Sequence, residues 1–358
     1  MGNHRFLYDN KITDGSMITV SSLRSGTVTS ALKDGTGAAA ISVGGPYSGS
    51  EDAEYIVEID SVAGGAEIEQ ATFQWSDGGG SWNATGVATA HTPITLNNGV
   101  TVCWPDHGAG ADFVIGDRWY FKGINLFSPA MLLDLDRDHR YRSAGLGSPN
   151  TITVDLGLAR EITALILMDH NLTLDATIVL KGNTADAGWG TPIFSESVAW
   201  ATEKIIHYLS AGQTLRYWRI EIADNGNSDN YIEIGELFLG GYAELSVNFS
   251  PGYSRDNAFL FDVGRSPYGI RRHRFYNKAK SFIYPWNVIS QTDMEILEAI
   301  ADALGDRSAG TFKPLWFNED SAAPADTWLV WLTGLPRKNR TRDYCDTNLQ
   351  MEEVLAIV

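Results

Sequence analysis

The feature that most constrains this chain is a two-residue apolar period that recurs in short runs and breaks at glycine-rich turns. Glu54-Tyr-Ile-Val-Glu-Ile-Asp60 has apolar residues at 55, 57 and 59. Arg216-Tyr-Trp-Arg-Ile-Glu-Ile222 alternates Tyr217, Arg219 and Glu221 with Trp218, Ile220 and Ile222, so one face is wet and the other buried. Glycine takes 36 of 358 positions and proline only 12, with 11 Trp, 14 Tyr and 14 Phe, the texture of turn-rich, aromatic-rich β structure. A chain that is 44% hydrophobic and 20% charged can bury cores, and its length suggests two or three domains.

Several classes are disfavoured at once. The longest apolar run, Ile162 to Met168, includes Thr163 and falls far short of the roughly 20 residues of a membrane helix, so no membrane insertion is expected. Met1-Gly-Asn-His-Arg5 lacks the apolar core of a signal peptide, and Phe6 stands where a myristoylation motif needs Ser or Thr. Cys103 and Cys345 supply neither a disulfide framework nor a cysteine-rich zinc site, which suits synthesis in a reducing cytoplasm. The net charge of −17 opposes nucleic-acid binding over most of the surface. From Tyr242 onward 13 Lys/Arg face 15 Asp/Glu, whereas residues 1–241 hold 14 against 29. The near-neutral C-terminal part suits protein contact; the acidic part suits solvent, and solubility alone is a sufficient reason for it.

The period divides the chain. Strands are predicted at Met17–Val20 and Gly26–Ser30. A compact β unit over 39–128 follows, with strands at 54–60, 71–75, 92–96, 99–104 and 117–121. A second unit over 129–241 has strands at 150–157, 162–169, 175–182, 205–209, 216–222 and 231–240, the second of them apolar on both faces. Beyond 242, strands at 242–249, 274–282, 311–317 and 327–332 surround one helix. Thr292-x-x-Glu295 reads as its capping box, Leu297, Ile300, Ala301 and Leu304 as its apolar stripe, and Gly305 as its stop.

Residues 141–240 resemble the discoidin, or galactose-binding-like, jelly roll. The matching pieces, in order, are Tyr-Arg-Ser143, Ile-Thr-Val-Asp-Leu-Gly157, the apolar Ile162 strand, Tyr-Trp-Arg-Ile220 and Ile-Glu-Ile-Gly-Glu-Leu-Phe-Leu-Gly240. Ile18-Thr-Val-Ser-Ser-Leu-Arg24 looks like the opening strand of that fold, more than a hundred residues upstream of Leu133-Asp-Leu-Asp-Arg-Asp138. The resemblance therefore implies a discontinuous jelly roll, 1–35 and 129–241, interrupted by an inserted β domain, 36–128, and followed by a C-terminal β-rich assembly domain, 242–358. Surface-loop insertion costs little closure entropy; consecutive independent domains are the alternative. Met-Asp-His-Asn-Leu172, Asp224-Asn-Gly-Asn227, Glu-Ile-Gly-Glu236, Lys313-Pro-Leu-Trp-Phe317, Gly-Pro-Tyr-Ser-Gly-Ser-Glu-Asp52 and Ala-Thr-Phe-Gln-Trp-Ser76 further resemble tail-tip or baseplate proteins of tailed bacteriophages. That resemblance implies a structural virion protein, made in the host cytoplasm and placed in the phage tail.

No nucleophile elbow, phosphate-binding loop or His-x-x-x-His pair is present. Cys103-x-x-x-His107 is the nearest approach to a metal pair, and nothing local completes it. Asp134, Asp136, Asp138, Glu233 and Glu236 could by number alone supply a glycosidase pair, but no catalytic signature surrounds them, and the chain reads as no enzyme. Asp134-x-Asp136-x-Asp138 alternates acids as calcium loops do, yet His139 and Gly145 stand where such a loop needs glycine and glutamate. The jelly-roll resemblance implies a structural calcium between a loop acid near Asp138 and Glu236; ion pairing with Arg140 or Arg142 is the preferred alternative. No other cofactor or metal is expected.

For a sugar, the loop candidates are Trp189 as stacking platform, with His170, Asn171, Asp224 and Asn225 as hydroxyl partners. The competing reading makes His170 and Asn171 strand caps and packs Trp189 locally. The basic clusters Arg271, Arg272, Arg274 and Arg337, Lys338, Arg340, Arg342 read as a protein assembly interface rather than a nucleic-acid site. The leading expectation is a homo-oligomeric tail protein contacting other tail proteins. The alternative is a receptor-binding module for cell-surface glycans, and a secreted carbohydrate-active enzyme is third.

Overall fold

The computed structural model describes the backbone of residues 3–354 apart from 50, 79, 106–110, 137–138, 266–270, 307–310, 335–338 and 341–344; side chains of 258–278, 306, 311–312 and 339–340 also lie outside the description. The chain is mainly β, in several sheets with a single α-helix among the described residues, and contains a discoidin-like sandwich.

Two long strands make the sandwich. β3 (Asn150–Met168) and β6 (Lys204–Ala223) pair antiparallel along their whole length and bend together where the register shifts between Asp155 and Arg160. The sequence predicts two strands over 150–169; one bent strand is found, turning at Gly157, whose φ of 72° only glycine adopts readily. Before the bend, β3 lies between β2 (Ile18–Val20) and the end of β6, and β4 (Thr177–Asn183) and β5 (Phe194–Val198) extend this first layer. Past the bend, β3 lies between the start of β6 and β7 (Glu236–Glu244), which pairs with β1 (Arg5–Asn10). Ile152, Val154, Leu180, Ile220 and Trp218 of the first layer meet Leu165, Leu167, Leu237 and Leu239 of the second in one core. Ala164, Ile166 and Met168 point the other way, into a further cluster with Leu7, Phe238, Trp316 and Leu329. The Ile162–Met168 run is apolar at both parities because both its faces are covered.

The second layer does not end at β1. Phe6 and Leu7 also pair with Phe317 and Trp316 of β10 (Leu315–Asn318), and the sheet continues through β11 (Thr327–Gly334), β12 (Cys345–Glu353), β9 (Arg271–Ile289) and β8 (Ser254–Arg265). Helix α1 (Gln291–Leu304) packs Met294, Leu297, Ile300 and Leu304 against Phe6, Phe282, Trp286, Phe317 and Val330. Met294, not Ala301, completes the buried stripe. The cap also differs from the predicted box: Ser290 is the N-cap, accepting from the Asp293 amide at 3.1 Å, and Gly305 ends the helix in extended backbone.

Between β2 and β3 the chain builds its own sandwich. Arg118–Ile124 pairs on one side with Ala53–Ser61 and on the other with Thr27–Val28 and Leu32–Asp34; Thr101–Cys103 lies between Ser42–Gly44 and Ile94–Thr95. Trp104, Trp119, Phe113 and Phe73 meet edge to face in the core. Residues 27–34 thus pair with this unit, so the boundary drawn at residue 36 moves to about residue 26. The two connections meet there: a side chain on Gly26 would lie 1.9 Å from the Ile124 carbonyl oxygen and 3.0 Å from Asn125 Cα, a closeness only glycine permits.

Those adjoining ends make excision a test of insertion. A chain in which Gly26 is linked to Asn125 by a short Gly-Ser segment is expected to unfold in one cooperative transition with β-type circular dichroism. A broad, non-cooperative melt would show that the flanking strands need residues 27–124.

Candidate ligand-binding surface of the jelly roll

Strand direction decides which loops meet. Thr177 at the start of β4 pairs with Ala223, and Asn183 at its end pairs with Tyr217. The loops holding His170, Asn171, Asp224 and Asn225 therefore lie at one end of β4 and Trp189 at the other, some 20 Å away at about 3.3 Å per residue. The five residues grouped by the sequence reading do not form one site.

At the first end, hydrogen bonding is spent inside the protein. His170 accepts the Leu172 amide at Nδ1 and donates from Nε2 to the Ala201 carbonyl at 3.0 Å; burial lowers its pKa, in keeping with a neutral ring. Asn171 accepts the Glu233 amide at 2.8 Å and donates to Asp229 and the Tyr231 carbonyl. Asp224, 1% exposed, accepts from the Thr173 amide and hydroxyl and from Asn227. These contacts stitch three chain segments together. Of the set only Asn225 is exposed.

At the other end Trp189 is partly exposed and held on several sides. Its indole Nε1 donates to Asp186 at 2.9 Å, its carbonyl accepts from Lys181, and the Arg219 guanidinium lies 4.3 Å from the ring centroid. Arg219 is itself aimed by Thr153 Oγ1 at 3.0 Å, and Lys181 pairs with Glu221 at 2.7 Å. Lys181, Arg219 and Thr153 fall in one cross-strand row, and Asn183, Tyr217 and Asp155 in the next. Asp155 accepts from Arg216 Nε and Nη2 at 2.7 and 2.8 Å, which holds its carboxyl down at about 2. The outer face of the first layer is thus a polar deck with an indole at its edge. The sequence reading named Trp189 but not Arg219, Lys181 or Glu221, although the 217/219/221 alternation already marked that wet face.

The acids near the last strand divide. Glu233 takes Arg140 at 2.8 Å and also Arg142, whose guanidinium lies between Phe127 and Tyr231. Asp134 accepts from His139, and Asp138, the acid nearest the expected pairing with Arg140 or Arg142, lies outside the described residues. Glu236 is 2% exposed, its Oε1 has no partner among the described residues, and burial, with Asp134 second, raises its pKa to about 9. Among the described residues no three His, Cys, Asp or Glu gather closely enough to hold a metal, and Asp138 lies outside them. The described donors do not compose a calcium shell. Arg271, Arg272, Arg274 and Arg340 are placed in strands with side chains outside the description; His107, Arg337, Lys338 and Arg342 lie outside it altogether.

No family model matches the chain, and no curated protein does. Among solved structures it is similar to a GH29 fucosidase of Ruminococcus gnavus in complex with fucose (12% identity, 34% of this chain and 23% of that one, TM-score 0.28). Others are chitosan-binding module 1 of a chitosanase/glucanase from Paenibacillus sp. IK-5 (18%, 32% and 86%, TM-score 0.27) and the lectin domain of lectinolysin complexed with Lewis B antigen (13%, 32% and 84%, TM-score 0.26). The chain spans under a quarter of the fucosidase, and TM-scores this low transfer no ligand or activity.

The raised pKa of Glu236 ties the stability of the fold to pH. The native state keeps a proton that the unfolded chain releases above about 4.5, so this group's contribution to stability falls as pH rises from there through about 9. In the presence of a chelator, Glu236→Gln should melt near wild type at about pH 5 and above it at about pH 8. An equal difference at both pH values, or a deficit that grows with pH, would contradict a buried, protonated carboxyl.

Proposed function

We propose that this chain is a non-catalytic glycan-binding protein whose jelly roll reads a sugar across Trp189 and the adjoining polar deck. The single observation that carries the reading is the indole of Trp189, partly exposed yet fixed by Asp186 and Arg219 beside Lys181 and Glu221. An aromatic face stacks on the C–H side of a pyranose, and planar charged groups around it match vicinal hydroxyls. Fixing the ring in advance reduces the entropy lost on binding.

A second reading, a structural protein of a phage tail tip or baseplate, rests on the sequence resemblance. One observation favours it: the sheet shared by the jelly roll and the C-terminal unit joins them into a stiff body suited to assembly. The readings are compatible in one particle and differ in chemistry.

The test is a glycan array probed with the full chain in multivalent form. Trp189→Ala should lower binding several-fold, as expected for loss of about 1 kcal/mol of stacking per site, with the melting curve little changed. Arg219→Ala should weaken it as well, and Asn225→Ala should not. If the wild-type chain binds no glycan even when multivalent, the deck is not a sugar site and the structural reading stands.

A further inference from the structure

We propose that the hairpin of β8 and β9 is an arm that docks on the acidic body of a second copy of this chain. β8 is the last strand of the sheet, and its pairing with β9 runs from Ser254 opposite Ile283 to Arg265 opposite Arg271. β12 pairs with β9 only from Ser281 to Ile289. From Arg271 to Lys280, therefore, β9 has β8 as its only partner strand among the described residues. Ten residues at about 3.3 Å each carry this two-stranded ribbon some 30 Å beyond the three-strand region. A two-stranded ribbon is marginal in water, has no interior of its own, and leaves both outer edges with unpaired backbone groups.

The arm's sequence is ill suited to water alone. Ala258-Phe-Leu-Phe261, Val263 and Phe275-Tyr276 fall on it, with Phe261 opposite Phe275 in the register. Its charge names the occupant. Residues 254–283 hold seven Lys/Arg and two Asp/Glu, a net of +5, which leaves −22 for the rest of the chain. Two arms side by side would repel, and like charges in register oppose edge-to-edge pairing. An arm meeting the body of another copy joins opposite charges instead. Such a contact uses a different surface on each copy, so it closes into a ring or continues as a filament. The inference does not rest on glycan binding.

The experiment is sedimentation of the full chain at about 0.05 M and about 1 M salt, where exposed charges are felt and screened respectively. Wild type should assemble at low salt in a concentration-dependent way and dissociate at high salt. Arg271→Glu, Arg272→Glu and Arg274→Glu together should leave a monomer at both. A second variant, with residues 259–278 replaced by Asn-Gly between the paired Ala258 and Ala279, should also be monomeric and keep the wild-type melting curve. A monomeric wild type at low salt overturns the proposal, as does assembly of both variants like wild type. Saturable binding of a DNA oligonucleotide by a wild-type monomer would overturn it too, by making nucleic acid the arm's partner. Measuring glycan binding on the same variants separates failure of this proposal from failure of the sugar reading.

Discussion

β1 is the strand on which the rest depends. Six residues, Arg5 to Asn10, pair with β7 on one side and β10 on the other, closing the jelly roll's second layer and opening the C-terminal sheet. Successive side chains serve different cores: Phe6 packs with Trp286 and Phe317, and Leu7 with Ile166 and Phe238. Arg5 lies 4.1 and 4.2 Å from the rings of Tyr208 and Tyr242 and ion-pairs with Glu244 at 3.0 Å, a partly buried arrangement in which each cation–π contact contributes on the order of 1 kcal/mol. Asn10 replaces a backbone turn, accepting the Ile12 and Leu239 amides and donating to the Leu237 carbonyl. At that bulge a side chain on Gly240 would stand 2.1 Å from the Asp9 carbonyl oxygen, so β1 comes this near only because position 240 is glycine.

His4 lies just ahead of this strand and is wholly buried among Phe6, Phe249, Trp286 and Phe317. Burial holds its pKa down at about 4, so the ring is neutral near pH 7 and its contribution to stability is lost as pH falls from about 6.5 through 4. Lys204, at the start of β6, reaches the Thr327 carbonyl of β11 and lies 5.2 Å from the Trp328 ring. The jelly roll is thereby joined to the C-terminal sheet by strand pairing, by a buried aromatic cluster and by a lysine. The polar deck is on the other layer of the sandwich, away from this joint. The proposed sugar site and the proposed assembly arm thus fall on separate surfaces.

Much of the strand content was legible because alternation is local. Tyr55, Val57 and Ile59 are fully buried, and Trp218, Ile220 and Ile222 face the jelly-roll core, as their spacing requires. The double-sided character of Ile162–Met168 was legible for the same reason. Arg5–Asn10 was not read as a strand: its alternation is imperfect, and its partners stand more than 200 residues away. Thr27–Asp34 was assigned to the wrong unit because strand periodicity says nothing of which sheet a strand joins. The separation of Trp189 from Asp224 depends on the direction of β4, which no local pattern encodes. Asp224 looked like an exposed loop acid; its burial follows from Thr173 and Asn227, contacts that exist only once the loops are placed. Arg219 was visible as a wet-face residue, but its stacking on Trp189 needed the register of β4 against β6.

Native-state hydrogen exchange at the amides of Arg5–Asn10 tests the central claim, that one strand makes the jelly roll and the C-terminal sheet a single cooperative body. The hydrogen-bonded amides of β1 should exchange only through global unfolding, with the same opening free energy as the core amides of β3 and β11. Release of β1 at much lower free energy, with β3 and β11 exchanging as two independent units, would contradict it.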